Sequence, residues 1–242
     1  MRSVLKNMLC RMSPCSRALK RRSRLYRRLH ACAYGLRDVL FPKESYSQWG
    51  EDRLIWDWLR GHGGIRRQWV YIDVGTNHPT VINDTYLFYR NGYRGICIEP
   101  NHELAEVVRL FRPRDWVMNV AAGNKSGVFE FYVTENPVFS SLVQDKLEDR
   151  LAQAYPVPII RLDDLLPYLR SSRVFLLKID TEGFDQQVLE GATTLLRSTM
   201  LVQTETRSEA EREMQSCVLG SDWRVIYAGA NTVFVNTALG AT

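Results

Sequence analysis

Short apolar runs alternate with amphipathic segments along most of the chain. The run at residues 68–75 is rich in Val, Tyr and Ile and stops at Gly75, which is typical of a buried β-strand. The segment before it predicts a helix with Ser47 as its N-cap and an end at Gly61. One face of that helix is apolar and consists of Leu54, Ile55, Trp58 and Leu59.

The same alternation continues to the end of the chain. It predicts helices at residues 83–91, 102–111 and 186–196, and strands at residues 94–99, 116–120, 128–133, 174–180, 199–204, 224–228 and 231–235. The run at 128–133 is expected to pair antiparallel, and the last two strands are expected to form a hairpin. Strands that alternate with helices indicate an α/β fold with a doubly wound, mostly parallel sheet.

Ligands of such a sheet bind at the carboxyl ends of the strands, near the point where the strand order reverses. The residues that end strands are therefore candidates for function. They are Asp73, Gly75, Glu99, Ala121, Asp180, Glu182 and Glu205.

Composition places the chain among globular proteins. Of its 242 residues, 45% are hydrophobic and 24% are charged, which excludes a disordered chain and a collagen. No apolar run approaches the ~20 residues of a membrane span. The five cysteines show no CxxC spacing, so neither a zinc site nor a disulfide framework is indicated, and a reducing compartment is expected. Cys97 is expected to be a small core residue.

Positive charge is concentrated at the start of the chain. Residues 1–37 contain 11 Lys/Arg and no Asp/Glu, whereas the remainder carries 21 basic and 27 acidic residues, a net charge of −6. We predict a basic extension at residues 1–42 and one domain at residues 43–242. Four interpretations of the extension remain open: a mitochondrial-type presequence, a nucleic-acid-binding arm, a solvated tail without a specific role, and an amphipathic anchor on an anionic membrane. The anchor would use Leu19, Leu25, Tyr26 and Leu29.

The first two predicted strands end in a pattern typical of nucleotide sites. Asp73 and Gly75 end one strand, and Glu99 ends the next, 26 residues after Asp73. An acid at the second position can accept hydrogen bonds from ribose hydroxyls, and glycine lets a ligand approach the backbone. The segment DVGTNHP is not GxGxxG, which argues against a dinucleotide. The alternative for Asp73 is a turn or helix cap.

A second group of acids follows in LLKIDTEGFD. Asp180 and Glu182 could position a cationic ligand, hold a metal or act as a general base, or Glu182 could simply begin the next helix. Lys178 adds an amine to this group. Glu205 and Asp180 could together form a two-carboxylate metal site. His78 follows the first strand and could reach a substrate, although a polar side chain in contact with solvent is the alternative.

Four segments together resemble a known family. YSQWGED, YIDVGTNHPTVINDT, FYRNGYRGICIEPN and LLKIDTEGFDQQVLEG occur in this order in the FkbM family of S-adenosylmethionine-dependent methyltransferases, and the similarity covers residues 46–235. The resemblance implies a class I methyltransferase (Rossmann-like) fold, with a seven-stranded sheet whose last strand is antiparallel. It implies S-adenosylmethionine as cofactor, while a divalent metal has no support of its own.

The resemblance also assigns residues to the cofactor. It places Asp73, Gly75 and Asn77 at its methionine end, Glu99 and Asn101 at the ribose, residues 119–121 with Asn119 and Ala121 beside the adenine, and Asp180 and Glu182 facing the transferred methyl group. Residues 47–52, with Gln48 among the cofactor contacts, would form a lid over the cleft. Independently of the resemblance, residues 136–158 are expected to shape the acceptor side, because this region is long and interrupts the strand–helix alternation. The alternative for its predicted helical part at 142–154 is simple packing.

The expected reaction is O-methylation of a hydroxyl group on a sugar, a glycan or a related natural product. A hydroxyl needs a base to remove its proton, and Asp180 is the first candidate, followed by Glu182 and His78. Two other functions stay open: a nucleic-acid methyltransferase guided by the basic arm, and a non-catalytic binding or anchoring protein. The acidic body makes nucleic acid the weaker partner. We expect a cytoplasmic protein with peripheral membrane contact, or a mitochondrial one in a eukaryote.

Overall fold

A computed structural model describes residues 24–169 and 173–239 of the chain. Six helices and ten strands follow one another in it. The helices are α1 (Arg24–Leu40), α2 (Glu51–Gly61), α3 (Tyr86–Arg90), α4 (His102–Phe111), α5 (Asp185–Glu190) and α6 (Glu209–Leu219). The strands are β1 (Val70–Val74), β2 (Arg94–Ile98), β3 (Trp116–Met118), β4 (Ala121–Ala122), β5 (Gly127–Thr134), β6 (Leu151–Ile160), β7 (Val174–Ile179), β8 (Thr199–Glu205), β9 (Trp223–Ala228) and β10 (Asn231–Asn236).

Seven strands form the main sheet in the order β3-β2-β1-β7-β8-β10-β9. The first five pair in parallel, as in the registers of Asp73 with Cys97 and of Asp73 with Lys178. Strand β10 is antiparallel to both of its neighbours, β8 and β9. The predicted mostly parallel α/β sheet is therefore confirmed. The strand order reverses between β1 and β7, so the carboxyl ends of these two strands are where a ligand is expected.

Helices cover both faces of this sheet. On one face, Ile55 and Leu59 of α2 and Phe88 of α3 pack against Tyr71 and Phe175 of the sheet. On the other face, α5, α6 and the segment between β6 and β7 meet a second apolar cluster. That cluster includes Ile72, Val74, Ile98, Leu162, Leu177, Val188, Leu189, Val202 and Leu219. Strands β1, β2, β7 and β8 are buried on both sides, which explains why their sequences are largely apolar rather than alternating.

A small second sheet interrupts the strand–helix alternation. Its strands β5 and β6 pair antiparallel from Gly127 with Ile159 onwards, and β4 joins β6 in parallel. The antiparallel pairing of residues 128–133 is confirmed. The predicted helix at residues 142–154 is wrong, because a short 3₁₀ turn at Gln144–Lys146 is followed by strand β6. Exposed positions alternate with half-buried or buried ones along much of β6, which is the period of a strand. Its first residues are exposed or half-buried, so no apolar run marks the start of the strand.

Three helix predictions need correction. Ser47 is not the N-cap of α2: Gly50 occupies that position with φ +92°, and the Ser47 hydroxyl instead accepts a hydrogen bond from the Gly50 N–H. Helix α3 is shorter than residues 83–91, and α5 ends at Glu190 and is followed by turns. Helix α6 was not predicted, because only Gln215 and Leu219 of its residues are buried and no apolar face marks it.

Part of the basic extension packs onto the domain. Helix α1 buries Ala31 and Asp38, and the ring of Phe111 in α4 lies against Gly35. The Asp38 carboxylate pairs with Lys43 at 2.9 Å and accepts a hydrogen bond from the Thr80 hydroxyl. The division at residue 42 stays a prediction, whereas this packing was not anticipated from the sequence.

Other parts of the extension cannot be compared with prediction. Residues 1–23, including Leu19, lie outside the described residues, as do the side chains of Leu25 and Tyr26. None of the helices within residues 24–169 and 173–239 is both long and apolar enough to cross a membrane.

Candidate active site

A cleft opens at the carboxyl ends of the central strands. Its floor is formed by the residues that follow β1, β2 and β7, together with Glu205 at the end of β8. Seven of the residues predicted to form the site line this cleft. They are Gln48, Gly75, Asn77, Glu99, Ala121, Asp180 and Glu182. The parallel register brings them together, since equivalent ends of neighbouring parallel strands meet at one edge of the sheet.

Gly75 lets two strands approach at the floor of the cleft. Its φ is +74°, and a Cβ atom placed on it would lie 1.8 Å from the carbonyl oxygen of Asp180. Any side chain here would force β1 and β7 apart. Glycine at this position is therefore required for the close packing of the turn after β1 against the end of β7.

Glu99 is held rigidly at the end of β2. One carboxylate oxygen accepts the N–H of Asn77 at 2.6 Å, and the other accepts the N–H of Asn101 at 2.8 Å. The residue is 4% exposed and still lines the cleft. Burial raises the pKa of Glu99 to about 7, against the lowering effect of the two N–H groups. Each oxygen keeps a second lone pair, so the carboxylate is preorganised to accept hydroxyl donors from the cleft.

Asp73 lies beneath the cleft and is not among the residues that line it. Its carboxylate is fully buried, 3.3 Å from the ammonium of Lys178 and 3.6 Å from the guanidinium of Arg112. Lys178 also donates to the carbonyl oxygen of Gly75 at 2.8 Å. Burial lowers the pKa of Lys178, but the charges of Asp73 and Asp180 outweigh it and raise that pKa above its usual value. The ion pair between Asp73 and Lys178 thus holds the turn at Gly75 in place from the buried side of the cleft.

Asn101 and Asn119 support the cleft from outside its lining. The Asn101 side chain caps α4 by accepting the N–H groups of Glu103 and Leu104. The Asn119 amide donates to the carbonyl oxygen of Glu99 at 2.8 Å and so joins the ends of β2 and β3. Their assignment to the cofactor stays a prediction, and what the structure shows is that both position the segment carrying Glu99.

An acidic cluster lines the cleft at the ends of β7 and β8, and one arginine lies against it. Asp180, Glu182 and Glu205 each offer an oxygen within 4.8 Å of the others. Arg207 pairs with Glu182 at 2.6 Å and with Glu205 at 3.1 Å. Burial, with the charges of Asp180 and Glu205, raises the pKa of Glu182 to about 8. Burial and Asp180 also raise the pKa of Glu205.

Asp180 and Glu205 were predicted from the sequence as possible ligands of a metal ion. The structure does bring them together, but Arg207 already supplies positive charge to two of the three carboxylates. Asp180 is the member without a bond to Arg207. Its side chain is 41% exposed and lies 3.6 Å from the Lys178 ammonium, so it faces the cleft with an accessible oxygen.

His78 lies away from this cluster. Its Nδ1 accepts the N–H groups of Thr80 and Val81, so the proton is on Nε2, which donates to the carbonyl oxygen of Ala31 at 3.0 Å. It does not line the cleft. Both ring nitrogens bond to backbone atoms, and the geometry favours a role in holding the loop after β1 on helix α1.

Asp84 is a cleft residue that sequence reasoning missed. It is 7% exposed, lines the cleft, and has one carboxylate oxygen without a hydrogen-bond partner among residues 24–169 and 173–239. Burial, with the nearby charges of Glu51 and Asp180, raises its pKa to about 8, although Lys178 lowers it. Its only sequence signal is an acid in the first turn of the helix predicted at residues 83–91, where an acid is usually explained by the helix dipole. Here the helix starts at Tyr86, and Asp84 turns into the cleft.

Two further walls enclose the cleft. Gln48 and Trp49, from the predicted lid, line one side, and the Glu51 carboxylate fastens this segment to the Asn231 amide at 2.9 Å. The second wall comes from residues 131–142, within and just before the segment predicted to shape the acceptor side. Its lining residues are Phe131, Pro137, Val138, Ser140 and Leu142. The cleft is thus acidic at the strand ends and largely apolar on the wall opposite them.

Comparison with known proteins identifies the family. The methyltransferase FkbM domain matches residues 73–226, well over half of the chain and all of the strand ends that form the cleft floor. Neither the curated proteins nor the solved structures contain a match. The matched segment includes Gly75, Glu99 and the acidic cluster. By this match, together with the seven-stranded sheet, the chain belongs to the FkbM methyltransferase family.

Proposed function

We propose that the protein uses S-adenosylmethionine to methylate a hydroxyl group of a sugar, a glycan or a related natural product. The observation that carries the proposal is Glu99, a buried carboxylate held by two backbone N–H groups at the end of the strand next to β1. A carboxylate in this place is suited to the two hydroxyls of a ribose. Membership of the FkbM family establishes a methyltransferase, whereas the identities of the cofactor and of the acceptor are proposed.

The residues of the cleft fit such a cofactor. Gly75 lines the cleft along the turn after β1. Asp84 and Thr181 also line it, and each has a buried side-chain oxygen to which none of the described residues donates a hydrogen bond. Carboxylates predominate among the charged side chains near the strand ends, and negative charge stabilises a cationic ligand. Bound S-adenosylmethionine supplies an activated methyl group on a positively charged sulfur. Ala121 and Leu104 add apolar surface that would pack against a flat ring.

The acidic cluster provides the candidate base. A hydroxyl attacks well only when its proton is taken as the new bond forms. Asp180 faces the cleft with an accessible oxygen, whereas Glu182 is tied to Arg207 but has its pKa raised to about 8. We retain Asp180 as the first candidate, since its oxygen is not bonded to the arginine.

The apolar wall supports a carbohydrate or similar ring as acceptor. Val138 and Leu142 offer apolar contacts, and the Ser140 hydroxyl lies among them. Sugar rings carry both apolar C–H faces and hydroxyl edges, so a cleft with one apolar wall and one acidic end matches their chemistry. The lid residue Trp49 is 63% exposed beside this cleft. Its indole is available to pack on a ring that enters.

The cofactor is tested by titration calorimetry of the full chain with S-adenosylmethionine and S-adenosylhomocysteine. We expect micromolar binding, weakened about 10- to 100-fold by Glu99→Ala because charge-assisted hydrogen bonds are lost. Glu130→Ala, at an exposed acid on β5, is the matched control and should bind like wild type. A folded protein that binds neither compound would contradict the cofactor assignment and favour a non-catalytic role.

The acceptor and base are tested by methyl transfer to a panel of hydroxylated compounds. Asp180→Asn is expected to reduce turnover about 100-fold or more while leaving cofactor affinity within a few fold, since general-base catalysis contributes about 10²- to 10⁴-fold. Glu182→Gln reports on the second candidate. Full turnover by both variants would show that neither carboxylate is the base, and transfer to amines alone would contradict the hydroxyl acceptor.

A further inference from the structure

Helix α1 has two faces of opposite character. Ala31, Gly35 and Asp38 face the domain, where Ala31 is 9% and Asp38 0% exposed. The side chains of Leu29, Leu36 and Leu40 are 60%, 53% and 58% exposed. These three leucines are spaced by seven and four residues, so they form one stripe along the helix, on the side away from the domain. We call them the leucine stripe.

Further apolar side chains extend this surface at the end of the helix. Val39 is 42% exposed and Phe41 is 63% exposed. Large apolar side chains scattered singly over a surface are normal, but a row of them on one element marks a site of interaction. The packing of Asp38 and Gly35 against the domain fixes the orientation of the helix. The leucine stripe is therefore held outward and is not free to turn inward.

The charge of the segment that contains this helix indicates which kind of partner binds the leucine stripe. Residues 1–37 carry 11 Lys/Arg and no acid, whereas the rest of the chain has a net charge of −6. A positive segment on a negative body is attracted to an anionic surface and oriented by it, with the segment toward the surface. We propose that α1 lies on an anionic lipid membrane, with the leucine stripe entering the headgroup region and the basic residues contacting lipid headgroups.

Two other occupants fit the same observations less well. A second copy of the chain would bring two segments of 11 positive charges together, which repel each other. A nucleic acid would use the charge but would leave the leucines exposed to water. A lipid surface satisfies both features at once, because it offers apolar interior and anionic headgroups side by side.

The proposed surface is connected to the cleft through short contacts. His78 donates to the carbonyl oxygen of Ala31, and the Thr80 hydroxyl donates to Asp38. Ile82, two residues further on, is 55% exposed and lines the cleft. A membrane-bound α1 would therefore hold one rim of the cleft close to the lipid surface.

The test is sedimentation of the full chain with lipid vesicles, without cofactor or acceptor. We expect binding to vesicles of phosphatidylcholine with phosphatidylserine at least about 10-fold stronger than to phosphatidylcholine alone, and weaker in high salt, which screens the charge. The triple variant Leu29→Ser, Leu36→Ser, Leu40→Ser should lose about 10-fold or more of the binding to the anionic vesicles, since burial of three leucine side chains is lost.

A matched control separates the stripe from general apolar exposure. Leu110→Ser, Val128→Ser and Leu151→Ser replace three residues that are 67%, 69% and 42% exposed elsewhere on the domain. This control should bind vesicles like wild type, and thermal unfolding should show both triple variants folded. Calorimetric titration with S-adenosylhomocysteine, run on the same samples, reports separately on the proposed cofactor.

Three results would overturn the proposal. Wild type that binds neither vesicle would exclude a lipid partner. Equal vesicle binding by wild type and the stripe variant would show that the basic residues act alone and that the helix face is not used. A wild-type dimer that the stripe variant turns into a monomer, with no difference in vesicle binding, would make the stripe a contact between two copies.

Discussion

At the residue scale, the buried carboxyl group of Asp84 makes the stability of the protein depend on pH. Burial raises its pKa to about 8, with further raising by Glu51 and Asp180 and lowering by Lys178. An acid whose pKa is raised on folding binds more protons in the folded than in the unfolded state between its two pKa values. Stability contributed by this group is therefore present at low pH and is lost as pH rises from about 4 to about 8.

Asp84→Asn should remove this pH dependence. We expect the variant to gain stability relative to wild type as pH rises from about 5 to about 8, by at most about 1.4 kcal/mol per pH unit. Urea denaturation at several pH values measures it. Asp145→Asn, at an exposed acid, should show no such trend. A constant difference between Asp84→Asn and wild type over this range would show that the carboxyl stays ionised.

At the element scale, the contact between α1 and α4 determines how the start of the chain is held. Gly35 has the ring of Phe111 against it, and a Cβ there would lie 2.8 Å from two ring carbons. The contact is close because glycine has no side chain. Asp38, one turn further on, anchors the same face through Lys43 and Thr80.

Gly35→Val should push α1 away from the domain. We expect a loss of about 1–3 kcal/mol from overpacking and faster hydrogen exchange across residues 31–40. Ala33→Val, on the exposed side of the same helix, is the control and should leave the exchange near that of wild type. Unchanged exchange in Gly35→Val would mean that the Phe111 ring moves aside at no cost.

At the scale of the whole molecule, Arg112 joins several parts of the fold. It is fully buried, and its guanidinium donates to Asp115 at 2.8 Å, to Tyr71 at 2.9 Å and to Thr85 at 2.9 Å. These residues belong to the loop before β3, to β1 and to the loop before α3. The guanidinium also lies 3.6 Å from Asp73. One side chain thus links the sheet to the loop that carries Asp84.

Arg112→Met should destabilise the whole domain. The variant leaves the buried Asp115 carboxylate without its cationic partner and removes one of the two cations that face Asp73, the other being Lys178. We therefore expect a loss of about 3–5 kcal/mol in the free energy of unfolding. Arg109→Met is the matched control, since the Arg109 side chain donates a hydrogen bond to the carbonyl oxygen of Val117 and holds no buried carboxylate within the described residues. A loss below about 1 kcal/mol would contradict a central role for Arg112.

The order of strands and helices in the main domain could be predicted from the sequence. Strands β1, β2, β7 and β8 appeared as apolar runs because they are buried on both faces, and α4 was predicted from His102 to Phe111 as observed. Because the apolar runs mark where each strand stops, the strand ends could also be identified from the sequence. Gly75, Glu99 and Asp180 were therefore expected at one edge of the sheet. Elements with little burial were missed or misassigned, as with α6 and β6.

What the sequence determined by itself is the pattern of burial, and with it the sheet, the family resemblance and the strand ends. Only the tertiary structure decided which polar groups face the cleft. The Asp73 carboxylate lies against Lys178 and Arg112 and does not line the cleft, and His78 is hydrogen-bonded to helix α1. Asp84, by contrast, is one of the lining residues. The physical reason is that hydrophobic burial repeats along the chain with a period, whereas hydrogen bonds and ion pairs join residues far apart in sequence. Their partners are fixed only once the fold has brought them together.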